Sequence, residues 1–405
     1  MNLRVSRRLI LGYVKKARAP LFLLALAAFA QEDSAQLREQ AATLVAQGRY
    51  ADAEPLFARA LELKEQEAGA EDPQLCPLLG SLAAVYRAEG RNVDAERLYQ
   101  RSLSIKEKAF GAESAEAIPD LKQLGSLYVA LSRFPDAEQL FLRVIALREK
   151  AQGPDDLQVA TDVAELAGFY IDRKRFDVAE PNLRRAIEIR DKKAGPDDPA
   201  LVPILDSLGT VFLEQKNYAL AETPLRRAVS IRERAYGPAH ANVAPHLDRL
   251  AMLFYLEKRH ADAEPLYRRS LAIWEASLGS DNPALATVLD NLAVVCASQG
   301  KLDEAEQLYQ RSLALREKTS VESLNNLALI LEGKGNYTAA ERQYRLAIHL
   351  AERVPALAEA ASVNEAELLA KTLENYAALL RKLKRNAEAK RAQVRAKALA
   401  KASNP

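Results

Sequence analysis

An internal repeat constrains this chain more than any other feature of its sequence. Segments such as YADAEPLF, VDAERLY and FPDAEQLF share an alanine that recurs six times at one constant interval, then once at a shorter interval and once at a longer one. We call these residues the signature alanines and number each copy from them, so that position +4 lies four positions after one. They are Ala53, Ala95, Ala137, Ala179, Ala221, Ala263, Ala305, Ala340 and Ala389. Such spacing predicts a stack of about nine repeated structural units.

Each copy carries two apolar stripes with helical spacing. Position +4 is usually aromatic, and position −12 is small in every copy. The small side chains at position −12 belong to Ala41, Ala83, Gly125, Ala167, Gly209, Ala251, Ala293, Ala328 and Ala377. Spacings of three, four and seven place one stripe on each of two helices, and small residues allow these helices to approach closely. A glycine at +16, such as Gly69, favours a helix end because it adopts a left-handed conformation at low cost. Each copy is therefore predicted to be a helical hairpin.

The composition agrees with an all-α chain. Only 16 Gly and 18 Pro occur in 405 residues, while Ala, Leu, Glu, Arg and Gln are abundant. Two cysteines exclude a disulfide framework, and the scattered cysteines and histidines predict no metal site. Residues 31–370 carry 41 basic and 53 acidic side chains, a net charge of −12. This acidic body argues against a nucleic-acid partner.

The segment PALATVLDNLAVVCASQGKLDEAEQLYQRSLALREK, residues 283–318, resembles a tetratricopeptide repeat (TPR) of the 42-residue type found in kinesin light chains. The resemblance extends over residues 34 to about 400. It implies a right-handed superhelical solenoid of about nine helix-turn-helix repeats. It also implies that the first helix of each pair lines a concave face, which holds an extended peptide or a partner helix. The resemblance is specific for fold and nearly silent on function.

Both ends of the chain differ from the array, which is predicted to span 31–400. Residues 1–30 are basic and then apolar, with small residues at Ala28 and Ala30. This pattern predicts a signal peptide cleaved near Ala30 and export to the periplasm or outside the cell. The alternatives are an uncleaved leader that tethers the protein to a membrane, an organellar presequence, or a cytoplasmic location. The apolar run is too short to predict a transmembrane span. Residues 401–405 are predicted to form a short tail.

The last copy is polar where other copies are apolar, which is typical of the terminal repeat in a solenoid. Lys390 replaces a glutamate and Gln393 replaces an aromatic residue. Residues 371–405 carry ten basic and two acidic side chains. This basic end favours a solvated cap, with docking to an acidic protein or an anionic membrane as the alternative.

The sequence predicts no enzyme and no cofactor. It contains no phosphate-binding loop, no dinucleotide-binding glycine motif, no HExxH and no nucleophile elbow. Cys296 stands at an aromatic position and is expected to be a buried thiol. Four of the glutamates that follow a signature alanine have an arginine one turn later and are expected to pair with it, as in Glu180 with Arg184 and Glu264 with Arg268.

The exposed side of the first helices is the candidate binding site. In related repeats, positions −15 and −14 face the groove, and asparagines there hydrogen-bond the backbone of a bound peptide. The residues that match these positions are Asp206, Asp248, Arg249, Asp290, Asn291, Asn325, Asn326 and Asn375. An alternative is that they are ordinary solvated side chains. The recurring aspartates predict a negative field and hence a ligand that bears Lys or Arg.

Two functions follow from these features. The first is a non-catalytic scaffold that binds a peptide or partner segment in the groove. The second is a structural component of an envelope complex that acts through the ends of the array and its basic C-terminal helix. The oligomeric state and the identity of the partner are not determined by the sequence. The shortened interval predicts a tight junction near Val321 and a longer connection or helix before the ninth copy.

Overall fold

The computed structural model describes residues 33–316, 320–353 and 363–402. Within these ranges the chain is all-α, and 18 α-helices form nine consecutive pairs, one per copy. The first helices are α1 Ser34–Ala46, α3 Cys76–Ala88, α5 Ile118–Ala130, α7 Leu157–Ile171, α9 Leu201–Glu214, α11 Ala244–Leu256, α13 Leu285–Ser298, α15 Val321–Gly333 and α17 Val363–Lys382. The second helices are α2 Tyr50–Ala68, α4 Asn92–Phe110, α6 Phe134–Gln152, α8 Phe176–Lys193, α10 Tyr218–Tyr236, α12 His260–Leu278, α14 Leu302–Leu315, α16 Tyr337–Arg353 and α18 Asn386–Ala402. The predicted all-α array of hairpins is confirmed.

The outer limits of the array differ slightly from the prediction. Helix α18 continues to Ala402, so the predicted tail 401–405 begins inside a helix. Residues 1–30, which form the predicted leader, lie outside the described residues.

Close helix contact explains the small residues at position −12. All nine signature alanines are at most 1% exposed, because the two helices of each hairpin touch there. A Cβ atom added to Gly125 would lie 2.7 Å from Cε1 of Phe141, and one added to Gly209 would lie 2.5 Å from Cδ2 of Leu225. Real Cβ atoms almost never approach other atoms so closely. The predicted close approach of the two helices is therefore confirmed at these positions.

The connections between copies contain the predicted helix terminators. Gly69 follows α2 with φ 93°, a conformation that strains other residues. Asp72 then accepts a hydrogen bond from the backbone N–H of Gln74 at 2.7 Å, and Pro73 begins a short 3₁₀ turn before α3. Each of these residues ends or begins a helix by a known capping mechanism.

The irregular interval changes two helices. Helix α14 has 14 residues, whereas the second helices of the first six copies have 18 or 19. Helix α17 has 20 residues, whereas the other first helices have 13 to 15. The chain therefore loses residues mainly from a helix before Val321 and regains them partly in the helix of the ninth copy. Ser320 caps α15 by accepting a hydrogen bond from the Ser323 backbone N–H at 3.2 Å.

The described residues form two compact units, one up to Asp162 and one from Val163 onward, with the division inside α7. The first unit has a core cluster that includes Phe57, Leu79 and Leu82 from the first two copies. The second unit holds the copies that carry all the candidate binding residues. Each unit buries a continuous series of leucines, alanines and aromatic side chains.

Two basic positions of most copies bind the copy before them. Arg91 at −4 places Nη1 2.7 Å from Oε1 of Glu54 in the first copy. Its guanidinium also lies 3.9 Å from the centre of the Tyr86 ring. Arg101 at +6 places Nη1 2.5 Å from Oε1 of Glu65. The earlier copy therefore presents acids at +1 and +12, and the later copy supplies the cations.

This arrangement recurs within both units. The −4 contact also joins Arg133 to Glu96, Arg259 to Glu222, Lys301 to Glu264 and Arg385 to Glu341. The +6 contact also joins Arg143 to Glu107, Arg227 to Asp191, Arg269 to Glu233, Arg311 to Glu275 and Arg395 to Glu352. The predicted pairs inside one helix, Glu180 with Arg184 and Glu264 with Arg268, are also present. An exposed pair is worth at most about 1 kcal/mol, so these contacts fix the register of neighbouring copies more than they stabilise the fold.

Candidate peptide-binding face of the first helices

The first helices of the second unit form a continuous surface. Helix α11 contacts α13, α13 contacts α15, and α15 contacts α17, in addition to the contact of each with its own second helix. Their side chains at −14 and −11 are exposed or half-buried. We call this surface the first-helix face. It consists of Arg249, Met252, Asn291, Val294, Asn326, Leu329, Asn375 and Ala378.

Asp206 is not a free groove carboxylate, which corrects the sequence interpretation. The residue is 8% exposed. Its Oδ2 lies 3.1 Å from Nδ1 of His246 and 3.2 Å from Nη1 of Arg249, both in the next copy. Nε of Arg232 donates to the other ring nitrogen of His246 at 3.4 Å. The carboxylate therefore joins two copies, and the cation beside it neutralises its charge.

Asp290 is also used inside the array. Its Oδ2 lies 2.9 Å from Nη1 of Arg316 and accepts a hydrogen bond from Oγ of Ser323 at 2.8 Å. Burial raises the pKa of Asp290 even though Ser312, Ser323 and Arg316 act in the opposite direction. The predicted row of attracting aspartates is therefore wrong at Asp206 and Asp290, and the argument for a ligand rich in Lys or Arg no longer holds.

Asp248 differs from these two because none of the ion pairs in the described residues includes it. One of its carboxylate oxygens, Oδ1, is buried without a hydrogen-bond partner. Burial raises the pKa of Asp248, and hydrogen bonds from Ser270 and Trp274 lower it by less. Asp248 lacks a cationic partner because position +11 of its copy is Trp274. At the same position, other copies have Arg232 or Arg316.

The four asparagines divide into one buried residue and three accessible ones. Asn325 is 1% exposed, which removes it from the set of groove residues. Its Nδ2 donates to Oδ1 of Asn326 at 3.3 Å, and its Oδ1 accepts from Nδ2 of Asn375 at 3.0 Å. The buried Asn325 side chain thus orients Asn326 and Asn375 through these two hydrogen bonds. Asn291 makes no side-chain hydrogen bond to any described residue, so its amide is available to a ligand.

Apolar side chains at −11 complete the first-helix face, and the sequence analysis missed them. Met252 is 43% exposed and Leu329 is 41% exposed, while Val294 between them is half-buried. One helical turn separates each from the polar residue at −14 of its copy. Their recurrence at one repeat position was visible in the sequence, but the stripe pattern alone did not distinguish an exposed apolar position from a buried one.

The first unit presents a different surface between α3 and α5. A cleft of about 560 Å³ is lined by small residues, such as Gly80 and Ser81, and by the larger Phe110. Lys106 closes one side of the cleft, with Nζ 2.6 Å from Oδ2 of the buried Asp120. This cleft therefore has small and large side chains around one ion pair, which differs from the polar and apolar rows of the second unit.

Three potential metal-ligating side chains meet in the second unit, although the sequence predicted no metal site. Ligand atoms of Glu264, Cys296 and Glu304 lie within 4.8 Å of one another. Burial raises the pKa of the Cys296 thiol to about 11, so the sulfur stays protonated at neutral pH. Burial also acts to raise the pKa of Glu264, but hydrogen bonds from Lys301 and neighbouring donors bring it to about 2. The carboxylate is therefore already paired, and the donor set is poorly suited to a cation.

Among the helices of the described residues, none is both long enough and apolar enough to cross a bilayer.

These features define a helical-repeat protein in which successive first helices present one polar and one apolar row. The tetratricopeptide repeat model matches residues 31–108, 74–150, 157–234, 215–276 and 242–318, and a second tetratricopeptide repeat model matches 320–354. The matches cover most of the chain, which belongs to the tetratricopeptide repeat family. The family inferred from the sequence is confirmed.

Three solved structures are similar to this chain, and the first of them has a similar fold. The C-terminal part of a TPR repeat-containing protein from Cytophaga hutchinsonii has a TM-score of 0.52 at 14% identity, covering 72% of this chain and 99% of that chain. BtubC (BKLC) from P. vanneervenii has a TM-score of 0.49 at 19% identity, covering 56% and 91%. A putative kinesin light chain from Podosopora anserina has 0.45 at 19% identity, covering 51% and 98%. No curated protein matches the chain.

Proposed function

We propose that the protein is a non-catalytic scaffold that binds an extended segment of a partner protein on the first-helix face. Proteins built from TPR repeats generally serve as interaction scaffolds, and this general role is supported by the family. The observation that carries the proposal is the pairing of an accessible amide with an accessible apolar side chain in consecutive copies. Asn291 with Val294 and Asn326 with Leu329 form such pairs.

The mode of binding follows from the chemistry of the two rows. Asparagine amides both donate and accept hydrogen bonds, so they match the N–H and C=O groups of an extended backbone. Met252 and Leu329 offer apolar area to side chains of the ligand, and methionine adapts to varied shapes. Because Asp206 and Asp290 are paired internally, binding is expected to depend on sequence and shape more than on the ligand's positive charge.

The test begins with affinity capture of partners by the full chain without residues 1–30. The double variant Asn291→Ala and Asn326→Ala should lose the partner, since it removes two backbone contacts. The matched control is Gln307→Ala, which changes an exposed amide on a second helix. Binding that survives the double variant, or that falls equally with the control, would contradict the groove proposal.

We also propose that the protein is exported after cleavage near Ala30. The basic and apolar leader is the support for this proposal. N-terminal sequencing of the protein from its native host is the test. A chain that begins at Gln31 agrees with export, and an intact Met1 in a soluble cytoplasmic fraction would exclude it.

A further inference from the structure

The C-terminal end of the array reverses the charges that join its copies. At internal boundaries, the earlier copy presents acids at +1 and +12 of its second helix, as Glu54 and Glu65 do to Arg91 and Arg101. The last such boundary follows the same rule, because Glu352 at +12 of the eighth copy pairs with Arg395 of the ninth. The surface at which a tenth copy would pack belongs to α18.

Helix α18 has lysines at these positions. Lys390 stands at +1 and Lys401 at +12, and Lys397 stands at +8, where the other copies are aliphatic. Those aliphatic residues are Leu61, Leu103, Ile145, Ile187, Val229, Leu271, Leu313 and Ile348. Together with Gln393 at +4, the three lysines form one stripe on the helix. We call this stripe the end face.

The end face is exposed on a well-packed helix. Helix α18 packs on α17 through Ala389, Ala392 and Ala396, which are all buried with Leu373 and Leu380 of α17. The three lysines are exposed, and none pairs with an acid among the described residues. A cap that only needed to be soluble could carry charges of either sign. This cap carries basic residues at +1 and +12, where the interior copies carry acids.

We propose that the end face docks an acidic helical segment of a partner protein. At interior boundaries, the cations that reach +1 and +12 come from −4 and +6 of the incoming second helix. These two positions are ten residues apart, or about 15 Å along a helix. A matching partner helix therefore carries an acid at its N-cap and a second acid ten residues later. An aspartate at the N-cap also stabilises the partner helix itself, since it accepts backbone hydrogen bonds there.

A second copy of this chain does not fit the end face. The corresponding −4 and +6 positions of the first copy are Arg49 and Arg59. Arg49 pairs with Asp52 of its own copy in the same manner as Arg91 pairs with Asp94. Stacking two chains end to end would bring arginines against Lys390 and Lys401, and like charges oppose such contact. End-to-end stacking of two copies is therefore disfavoured, which favours a different protein as the partner.

The experiment uses the full chain and a peptide of known sequence. The peptide spans residues 300–316, which contain an incoming second helix with Lys301 and Arg311 at −4 and +6. A staple between positions 303 and 307 on the exposed side holds it helical, because isolated helices of this length are marginal. One version is unchanged, and the other carries Lys301→Glu and Arg311→Glu. Fluorescence anisotropy at low salt measures the affinity of each.

The glutamate peptide should bind at least about fivefold more tightly than the unchanged peptide, since exposed ion pairs each change affinity by about two- to fivefold. The variant Lys390→Glu and Lys401→Glu should reverse this preference. The matched control, Arg391→Glu, changes the same charge on the same helix beside the end face and should leave the preference unchanged. Circular dichroism verifies that the variants stay folded.

Three outcomes would overturn the proposal: equal binding of both peptides, no binding of either, or a preference that the lysine variant does not reverse. Vesicles of phosphatidylcholine with and without phosphatidylserine test a membrane instead of a protein. Vesicle binding through the three lysines without peptide preference would assign the end face to anionic lipid. The variant Asn291→Ala and Asn326→Ala should not alter the peptide preference, so failure of the groove proposal is separable from failure of this one.

Discussion

Replacing Asp248 with asparagine should stabilise the protein at neutral pH. Oδ1 of Asp248 is buried without a partner, and Trp274 occupies the position from which other copies supply a cation. The eighth copy shows a compatible combination, because Asn325 stands at −15 and Ala351, which has no charge, at +11. An asparagine at 248 would remove a charge that the fold does not neutralise.

The magnitude follows from the cost of a buried group without a partner. Such a group destabilises the folded state by about 1–3 kcal/mol. Asparagine removes the part of this cost that comes from the charge, so we expect the free energy of unfolding to rise by about 1–2 kcal/mol.

The matched substitution Asp162→Asn should change the free energy of unfolding in the opposite direction. Asp162 is 4% exposed and pairs with Lys122 at 2.9 Å and with Arg148 at 3.0 Å. Breaking this pair leaves two cations and should cost about 3 kcal/mol.

The effect of pH on the Asp248 substitution has a definite sign. Because burial raises the pKa of Asp248, the folded protein binds its proton more tightly than the unfolded chain does. The free energy of unfolding therefore falls as pH rises from the ordinary aspartate pKa of about 3.9 through the folded value. The gain from asparagine should grow as pH rises through this range and should vanish below about pH 3.

Urea unfolding of the full chain at several pH values, followed by circular dichroism, measures both effects. Repeat arrays unfold in parts, so the transition that contains the sixth copy is the relevant one, and hydrogen exchange of α11 identifies it. Destabilisation by Asp248→Asn at pH 7, or a gain that persists unchanged at acid pH, would refute the reasoning. A neutral effect of Asp162→Asn would show that these carboxylates are better solvated than the structure indicates.

Three further predictions concern packing, backbone and thiols. Gly209→Ala should destabilise the protein by about 1–3 kcal/mol because its Cβ would lie 2.5 Å from a leucine. Gly80→Ala should stabilise the protein by up to about 1 kcal/mol, because no atom lies within 4 Å of the added Cβ. Urea unfolding compares the two variants. Lys258→Gly should raise stability by a few tenths to about 1 kcal/mol, since Lys258 has φ 61°, and loss of stability would contradict this. Cys76 and Cys296 are buried, and burial raises the pKa of both thiols, so a thiol reagent at pH 8 should label them only after unfolding; rapid labelling of the native protein would contradict their burial.

The sequence predicted the hairpins because local physical rules control them. Small residues at position −12 and glycine at +16 act within one copy, and their effect does not depend on the rest of the chain. Gly209 illustrates this rule, since its neighbour Leu225 belongs to the second helix of the same hairpin. The shortened interval was also visible, although the sequence did not show that α14 would lose most of the residues.

The sequence did not predict the contacts of the candidate site because those contacts join different copies. Asp290 and Ser323 are 33 residues apart, and Asp206 and His246 are 40 residues apart. A carboxylate that recurs at one position predicts a negatively charged row only if no basic side chain recurs beside it. The missing signal was position +11, which is basic in the copies that contain Lys106, Arg148 and Arg316. Comparing positions −15 and +11 together would have separated the paired aspartates from Asp248.

Whether a side chain already has a partner determines how much it contributes to binding. If a lysine of a ligand approached Asp290, it would exchange one ion pair for another, and Arg316 would lose its ion pair with Asp290. Such an exchange gains little free energy, because a lost partner costs about as much as a new one contributes. Asn291 and Lys390 have no partner among the described residues, so a new hydrogen bond or ion pair there replaces only water. Binding energy in this array should therefore concentrate where a copy departs from the pairing rule of its neighbours.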